Sequence, residues 1–500
     1  STLYGSSAIG GVINIITRES DDPWNLNLNS RFSEHNDHRY GGTVGFNAGK
    51  FNSLTNVQYN NVDTYGVDNP GDFSTVFGSR VWNFKERLIY HPLETLKLTA
   101  RAGYYFRERN KPGDTQDRYR DFNGGLKANY TFNTLSNLEV GYTFDQYDKS
   151  DYQVLYKNDV RDYSNVQHNV HALYNYTFNE KHTLTVGADY LRDYLMSYQF
   201  TDNANYIMHT ADAFGQFDWN PTERLNVIAG LRFDYFSDSN VRHLSPHLGM
   251  MYKIGNCSLR GSYSQGFRSP TLKEMYMVFN MANMMIIYGN PDLKSETSHN
   301  FSLSAEYTKN RYNFSVTGYY NLVHNRINTV YSDDPKGQIY TNTDKVGIAG
   351  VDANISAKYP CGLGFRMSYT YIHEFMRDGQ KKFTDTRPHT ATVRVDWGEN
   401  LDKVDFNYSL NGRILSEVKT NVYNDSFNNP AAGSTAVTYP GYMIWDLTFS
   451  VGVFKGVNMN LAINNLFNYV PDYYYFNSPT TTGANLTLGL SLDIDRFFKK

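Results

Sequence analysis

The sequence predicts an all-β protein, a transmembrane antiparallel β-barrel of about 22 strands. Three observations carry that expectation. The first is a period-two alternation of apolar and polar residues that recurs along most of the 500 residues, the mark of strands with two unlike faces. The second is the spacing of the connections, in which short turns alternate with longer polar loops. The third is composition: aromatics reach 16%, with 42 Tyr and 31 Phe, yet no window holds 18 consecutive apolar residues, which is the length a transmembrane helix needs. A mean hydropathy of −0.56 fits a barrel whose lumen-facing and loop residues dilute its lipid-facing ones.

Taken in order, Ser6 to Thr17 (SSAIGGVINIIT) holds a tight Gly10-Gly11 turn and the apolar run Val12 to Ile16. It reads as the last strand of a domain whose body lies elsewhere. From Trp24 onward, strand follows strand. Leu184, Val186, Ala188 and Tyr190 alternate with Thr185, Gly187 and Asp189; Phe301, Leu303, Ala305 and Tyr307 alternate with Ser302, Ser304 and Glu306. Val457, Met459, Leu461 and Ile463 alternate with Asn458, Asn460, Ala462 and Asn464, and Asn485 to Ile494 repeats the pattern with four leucines and Ile494 on one side. Short turns are expected at Ala48-Gly49-Lys50, Pro92-Leu93-Glu94, Asn133-Thr134, Asn179-Glu180-Lys181, Asn220-Pro221-Thr222, Gly255-Asn256, Lys309-Asn310, Tyr359-Pro360, Glu399-Asn400 and Lys455-Gly456. Longer loops are expected at Thr64 to Thr75, Asn110 to Asp121, Lys149 to Asn165, Gly266 to Thr297 and Val418 to Tyr439. Short turns on one rim and long loops on the other is the layout of an outer-membrane barrel. About 22 strands closed into one ring enclose a lumen too wide for side chains to fill, so the apolar faces must point outward into lipid. Asp189, Glu306 and Asp493 fall on the polar faces, as that requires.

The rhythm breaks once, across Gly266 to Thr297 (GFRSPTLKEMYMVFNMANMMIIYGNPDLKSET). This stretch holds Met275, Met277, Met281, Met284 and Met285, five of the 13 methionines. Arg268-Ser269-Pro270 and Gly289-Asn290-Pro291-Asp292 frame it with turn-forming residues. It reads as a long functional loop, within which Leu272 to Ile287 would form a short helix whose methionines pack into the lumen.

Other chemistry is sparse. With 47 basic against 50 acidic residues, the chain lacks the basic excess of a nucleic-acid surface. Its two cysteines, Cys257 and Cys361, sit on the same rim with four strands between them, too far apart for a disulfide, and are expected as free thiols. The 13 histidines show no metal-ligand spacing; His299, His324 and His373 fall near the long-loop rim, and His35 and His38 flank the first hairpin. No serine triad or acid pair stands out, and Gly41-Gly42 reads as a bulge or a close approach. The chain is not expected to be an enzyme.

At this point the residues resemble the TonB-dependent outer-membrane receptor family. Ser6 to Thr17 resembles the end of the family's plug domain. Gly230 to Asp234 (GLRFD) and Ser245 to Tyr252 (SPHLGMMY) resemble mid-barrel strands. Gly266 to Thr271 with Gly289 to Thr297 resembles its paired boxes, on Phe267, Arg268, Pro270, Asn290, Pro291, Asp292 and Leu293. Asn464 to Asn468 (NNLFN) resembles a late box, and Phe498 the terminal aromatic, although Lys499 and Lys500 follow it. The resemblance implies residues 1–20 as the C-terminal remnant of a plug and residues 21–500 as the barrel. The signal peptide, the TonB-contacting segment and most of the plug would then precede this partial sequence.

The resemblance further implies a receptor in the outer membrane of a Gram-negative bacterium. It would take up a scarce nutrient by transport energised through TonB, contacted by the missing N-terminal region. The FRSP and NPDL boxes are closest to haem receptors, which points to haem or another iron complex. No histidine lies between Phe267 and Asp292, so Met277, Met281, Met284, Met285, Tyr276 and Tyr288 are the candidate ligand-binding residues, thioether and phenolate both being axial ligands to haem iron. Met also lines adaptable apolar surfaces without touching a metal. Haem would be a transported ligand, with no permanently bound cofactor. A corrinoid (vitamin B12) receptor is the alternative within the family. A surface adhesin or scaffold without transport is the alternative of another class, and a general porin fits less well. The implied partners are the TonB complex, a small-molecule ligand, membrane lipid and a surface lipoprotein, with no nucleic acid.

Overall fold

A computed structural model describes residues 19–67, 75–237, 241–281, 285–331, 337–343, 345–375, 386–401, 404–423, 434–471, 479 and 481–498. Twenty-two strands form one antiparallel sheet. The first, Trp24–Phe32, pairs with the last, Asn485–Asp493, in the register Asn27↔Asp493 to Phe32↔Leu488, so the sheet closes on itself. Closure leaves no open edge, the condition for a β-structure to cross lipid. No helix among the described residues is long and apolar enough to cross a membrane.

The two faces are as the alternation requires. Leu303 is 74% exposed, and Phe301, Val186, Tyr190, Leu486, Leu488 and Leu490 stand out on the same outer side. The opposite face carries Asp189, Glu306 and Asp493, with Asn27 Nδ2 donating to Asp493 at 2.8 Å. Aromatics collect where strands meet the short turns, among them Tyr130, Phe132, Phe178 and Trp219, forming an interfacial girdle.

The strands are far from equal in length. Val457–Asn464 has 8 residues, whereas Asn158–Phe178 has 21. A tilted membrane strand needs about 10 residues, so one wall of the barrel rises well beyond the lipid. This corrects two expected loops. Strands Leu96–Asn110 and Thr115–Asn133 leave only residues 111–114 as their connection, in place of Asn110 to Asp121. Strands Ser136–Gln153 and Asn158–Phe178 leave only residues 154–157, in place of Lys149 to Asn165. The reason is physical: above the lipid both faces are wet, so apolar alternation stops while the hydrogen-bond ladder continues. The expected turn at Glu399-Asn400 is also corrected, because Glu399 pairs with Phe406 and Asn400 with Asp405. At Gly41-Gly42 the pairing with both neighbours runs on without a bulge; a Cβ on Gly41 would meet the Asn29 side chain at 2.6 Å.

Cys257 and Cys361 are free. Of the expected plug remnant, residues 1–18 lie outside the described residues. Glu19 and Ser20 run along the lumenal wall at the short-turn end. Ser20 is held by Asn52, Asn47 and Asn25 at 2.7–3.3 Å. Glu19 lies 2.5 Å from Lys97 and 3.3 Å from Arg87.

Candidate functional site

The long break resolves into distinct parts. Strand Cys257–Arg268 ends at the first box, and strand Glu296–Lys309 begins at the second. Between them the expected helix over Leu272 to Ile287 shrinks to Leu272–Tyr276. Thr271 caps it: its hydroxyl accepts from Glu274 N while the Glu274 carboxylate accepts from Thr271 N. A hairpin follows, Val278–Met281 against Met285–Tyr288. The β-branched and aromatic Val278, Phe279, Ile286 and Ile287 favour strand over helix there. The hairpin extends into a second sheet, because Met285–Tyr288 runs parallel to Gly337–Thr343, itself paired with Arg326–Tyr331. Two long loops are thereby tied into one four-stranded cap.

The box residues lock the base of this cap. Arg268 donates to both Glu274 oxygens at 2.9 and 3.0 Å and to Glu296 at 2.7 and 3.1 Å. Phe267, Pro270 and Leu272 are fully buried. Phe267 stacks on His243 at 4.3 Å and joins Leu195, Phe200, Met208, Phe236, Leu272 and Met275 in one apolar cluster on the upper lumenal wall. Asn290 N donates to Glu274 O and its side chain to Tyr340 O; Asn290 Oδ1 accepts from Asp292 N, and Leu293 is buried. Pro291 and Asp292 are exposed. Gly289 passes so close to the helix end that a Cβ would meet Met277 N at 2.5 Å and Met275 O at 2.6 Å. Only glycine fits there.

The candidate ligand residues divide. Met277 is buried, and Tyr276 lies flat on Tyr206 at 4.0 Å. Tyr288 is half-buried in the cap. Met281 and Met285 are backbone members of the hairpin; their side chains, and Met284 altogether, lie outside the described residues.

Beneath the cap the lumenal wall holds a cavity of about 770 Å³, lined by Tyr163, Asn165, Gln167, Asp193, Arg232 and Lys273 among others. Arg232 is committed to Asp212 at 2.6 Å and Asp234 at 2.9 Å. Asp193 accepts from Asn165 and Gln167. Lys273 differs: its Nζ sits 4.6 Å from the centre of the Tyr163 ring, with no carboxylate partner among the described residues. Burial pushes its ammonium below the usual lysine range. Tyr163 begins a row, meeting Tyr147 edge-on at 6.0 Å, which stacks on Tyr119 at 6.3 Å. Arg107 lies over Tyr119 at 5.9 Å and its buried Nε has no hydrogen-bond partner. Beside the row Lys149 faces Tyr198 at 5.0 Å and reaches Asp117 at 3.6 Å; Asp117 also holds Arg109 and Lys111.

This row is hidden in the sequence, because Tyr119 and Tyr163 fall in stretches expected as loops. The available signal was the alternation of Tyr105, Arg107 and Arg109 against Tyr104, Phe106 and Glu108. Among the described residues, no group of three or more His, Cys, Asp or Glu is placed to hold a metal ion.

A closed barrel of this size, with a loop cap over a polar lumen, matches one family description, "TonB dependent receptor-like, beta-barrel", over residues 50–466. The chain belongs to the TonB-dependent receptors. The receptor is 23% identical to the iron-regulated outer membrane virulence protein of Vibrio cholerae, over 98% of this chain and 78% of that one. It is 22% identical to the ferrienterobactin receptor of Escherichia coli, over 93% and 74%. Its fold superposes on the siderophore receptor PirA from Acinetobacter baumannii with a TM-score of 0.82 at 16% identity, covering 99% of this chain and 84% of that one. The receptor is therefore a protein of the Gram-negative outer membrane.

Proposed function

We propose that this receptor takes up an anionic iron complex of the siderophore type. The complex first lodges beneath the cap, along Tyr119, Tyr147 and Tyr163. The observation that carries this reading is the pair of cations at the two ends of that row, Arg107 and Lys273, neither with a carboxylate partner among the described residues. A half-buried cation without a counter-charge is costly, and an incoming anion relieves that cost. The tyrosine faces add stacking with the aryl rings of such a chelate, and Arg107 and Lys273 add cation–π contact with those rings. The iron-related relatives support the same cargo class. The receptor acts as a carrier: it makes and breaks no bond in its cargo, holds no resident cofactor, and releases the complex when TonB pulls on the plug.

Haem is the second reading, and the methionine hairpin favours it. Of its described candidates, Met277 is buried and Tyr276 is stacked on Tyr206, while Tyr288 is half-buried in the cap.

The test is radioiron uptake by cells expressing the full-length receptor, supplied with ferric tris-catecholate or haemin, with and without functional TonB. TonB-dependent uptake from the tris-catecholate alone supports the first reading. Uptake from haemin alone replaces it with the second. Uptake of neither, with transport of cobalamin, moves the cargo to corrinoids.

A further inference from the structure

The outer surface of the tall wall carries a feature that cargo transport does not use. His168, Arg192 and His209 are direct cross-strand neighbours on three adjoining strands. All three occupy lipid-facing positions, in phase with exposed Val170, Tyr190 and Ile207. Two strands further on, Arg242 occupies the same outward face, lying over Tyr235 at 5.8 Å.

The row sits at a definite height. His168 is ten residues above Phe178, the girdle residue at the short turn. That is about 33 Å along the strand, or roughly 25 Å of height at the usual tilt, which is the full apolar band. The row therefore lies at the outer lipid–water boundary.

Its donors are oriented. Tyr142 OH meets His168 Nδ1 at 2.9 Å and Tyr190 OH meets His209 Nδ1 at 2.7 Å. With each Nδ1 met by a phenol, Nε2 is the ring nitrogen left to meet a ligand, and it donates in the tautomer whose Nδ1 accepts. Arg192 and Arg242 make no hydrogen bond or ion pair among the described residues. On the adjoining strand, the outward Asp148 is engaged through Oδ2 by Gln146 and Arg161.

We propose that this row binds the phosphate group of an outer-leaflet lipid, with His168, Arg192 and His209 donating to phosphate oxygens and Arg242 adding charge at one flank. The lipid is favoured over free phosphate by placement. The donors open toward the membrane and stand directly above Val170 and Tyr190, where an acyl chain attached to the same headgroup would lie.

The experiment is native mass spectrometry of the purified full chain in detergent. The probes are a diphosphorylated lipid A-type glycolipid, the same glycolipid with both phosphates removed, and inorganic phosphate. The expected result is saturable binding of the phosphorylated glycolipid, weakened about tenfold when His168, Arg192 and His209 are all changed to Gln. The dephosphorylated glycolipid should bind equally weakly to both proteins. Heat-modifiable migration in gels checks that the variant barrel is closed; should the triple variant fail to close, Arg192→Gln alone carries the comparison. Equal binding of the two glycolipids, or binding unchanged in a folded variant, overturns the proposal. Saturable binding of inorganic phosphate that displaces the glycolipid overturns its assignment to a lipid.

Discussion

Glu296 Oε1 lies 2.7 Å from Arg268 Nη2 and, at the same distance, accepts the backbone N–H of Ile327. One carboxylate oxygen thus joins the end of one strand, the start of the next and the base of the following loop. Arg268→Ala would leave Glu274 and Glu296 in a half-buried site without their cation, at a cost of about 1–3 kcal/mol to the cap. The expected outcome is faster amide hydrogen exchange across Leu272–Tyr276 and the hairpin, with exchange in the membrane strands unchanged. Unchanged exchange in the cap would contradict the locking role.

Lys273, with no carboxylate partner among the described residues, gives a pH signature. Burial lowers its pKa, so in the free receptor the proton leaves at a lower pH than from an ordinary lysine. The unfolded chain binds more protons than the folded one in that interval, and stability rises with pH across it. Affinity for an anionic chelate runs the other way: it is full below the lowered value and falls as pH climbs through it. Equilibrium titrations from pH 7 upward should show this loss, and Lys273→Gln should abolish the dependence.

Glu19 provides the opposite sign. Its hydrogen bond to Lys97, with added attraction from Lys97 and Arg87, holds the carboxyl below the usual glutamate range. The anchoring is present above the unfolded carboxylate value and is lost as pH falls through the lowered one. Protease nicking ahead of Trp24 should therefore accelerate in acid, and Glu19→Gln should nick at the fast rate already at neutral pH. A rate that does not respond to either change would show that Ser20 and its asparagines hold the segment alone.

Leu303 tests the orientation of the wall. Leu303→Arg places a charge against lipid and should destabilise the barrel by roughly 2–4 kcal/mol, measured by denaturant unfolding in vesicles. The neighbouring change Ser304→Arg, on the lumenal face, should cost far less. Equal costs would mean the faces are reversed.

What could be read from the chain follows the solvent on each face. Where one side meets lipid and the other water, as in Asn485–Asp493, the leucines alone give the strand, its register and its outer face. Where both sides meet water, as in the upper part of Asn158–Phe178, Tyr163 and Asn165 look like loop residues and the tyrosine row disappears from view. The box residues were legible as a motif, but their work as a lock was not, since Arg268, Glu274 and Glu296 meet only after the cap folds. The short helix and the hairpin share one methionine-rich run, and methionine tolerates either state. The capping box at Thr271 fixes where the helix starts, and Val278, Ile286 and Ile287 turn the rest of the run to strand.

The most direct test of the central claim is an equilibrium titration of the purified full-length receptor with ferric tris-catecholate, beside Lys273→Gln and Arg107→Gln. Saturable binding by the native receptor is expected, with each variant weakened about tenfold, the weight of one charge-assisted contact. Full affinity in both variants would contradict it, because the cations at the ends of the tyrosine row would then have no part in holding the cargo.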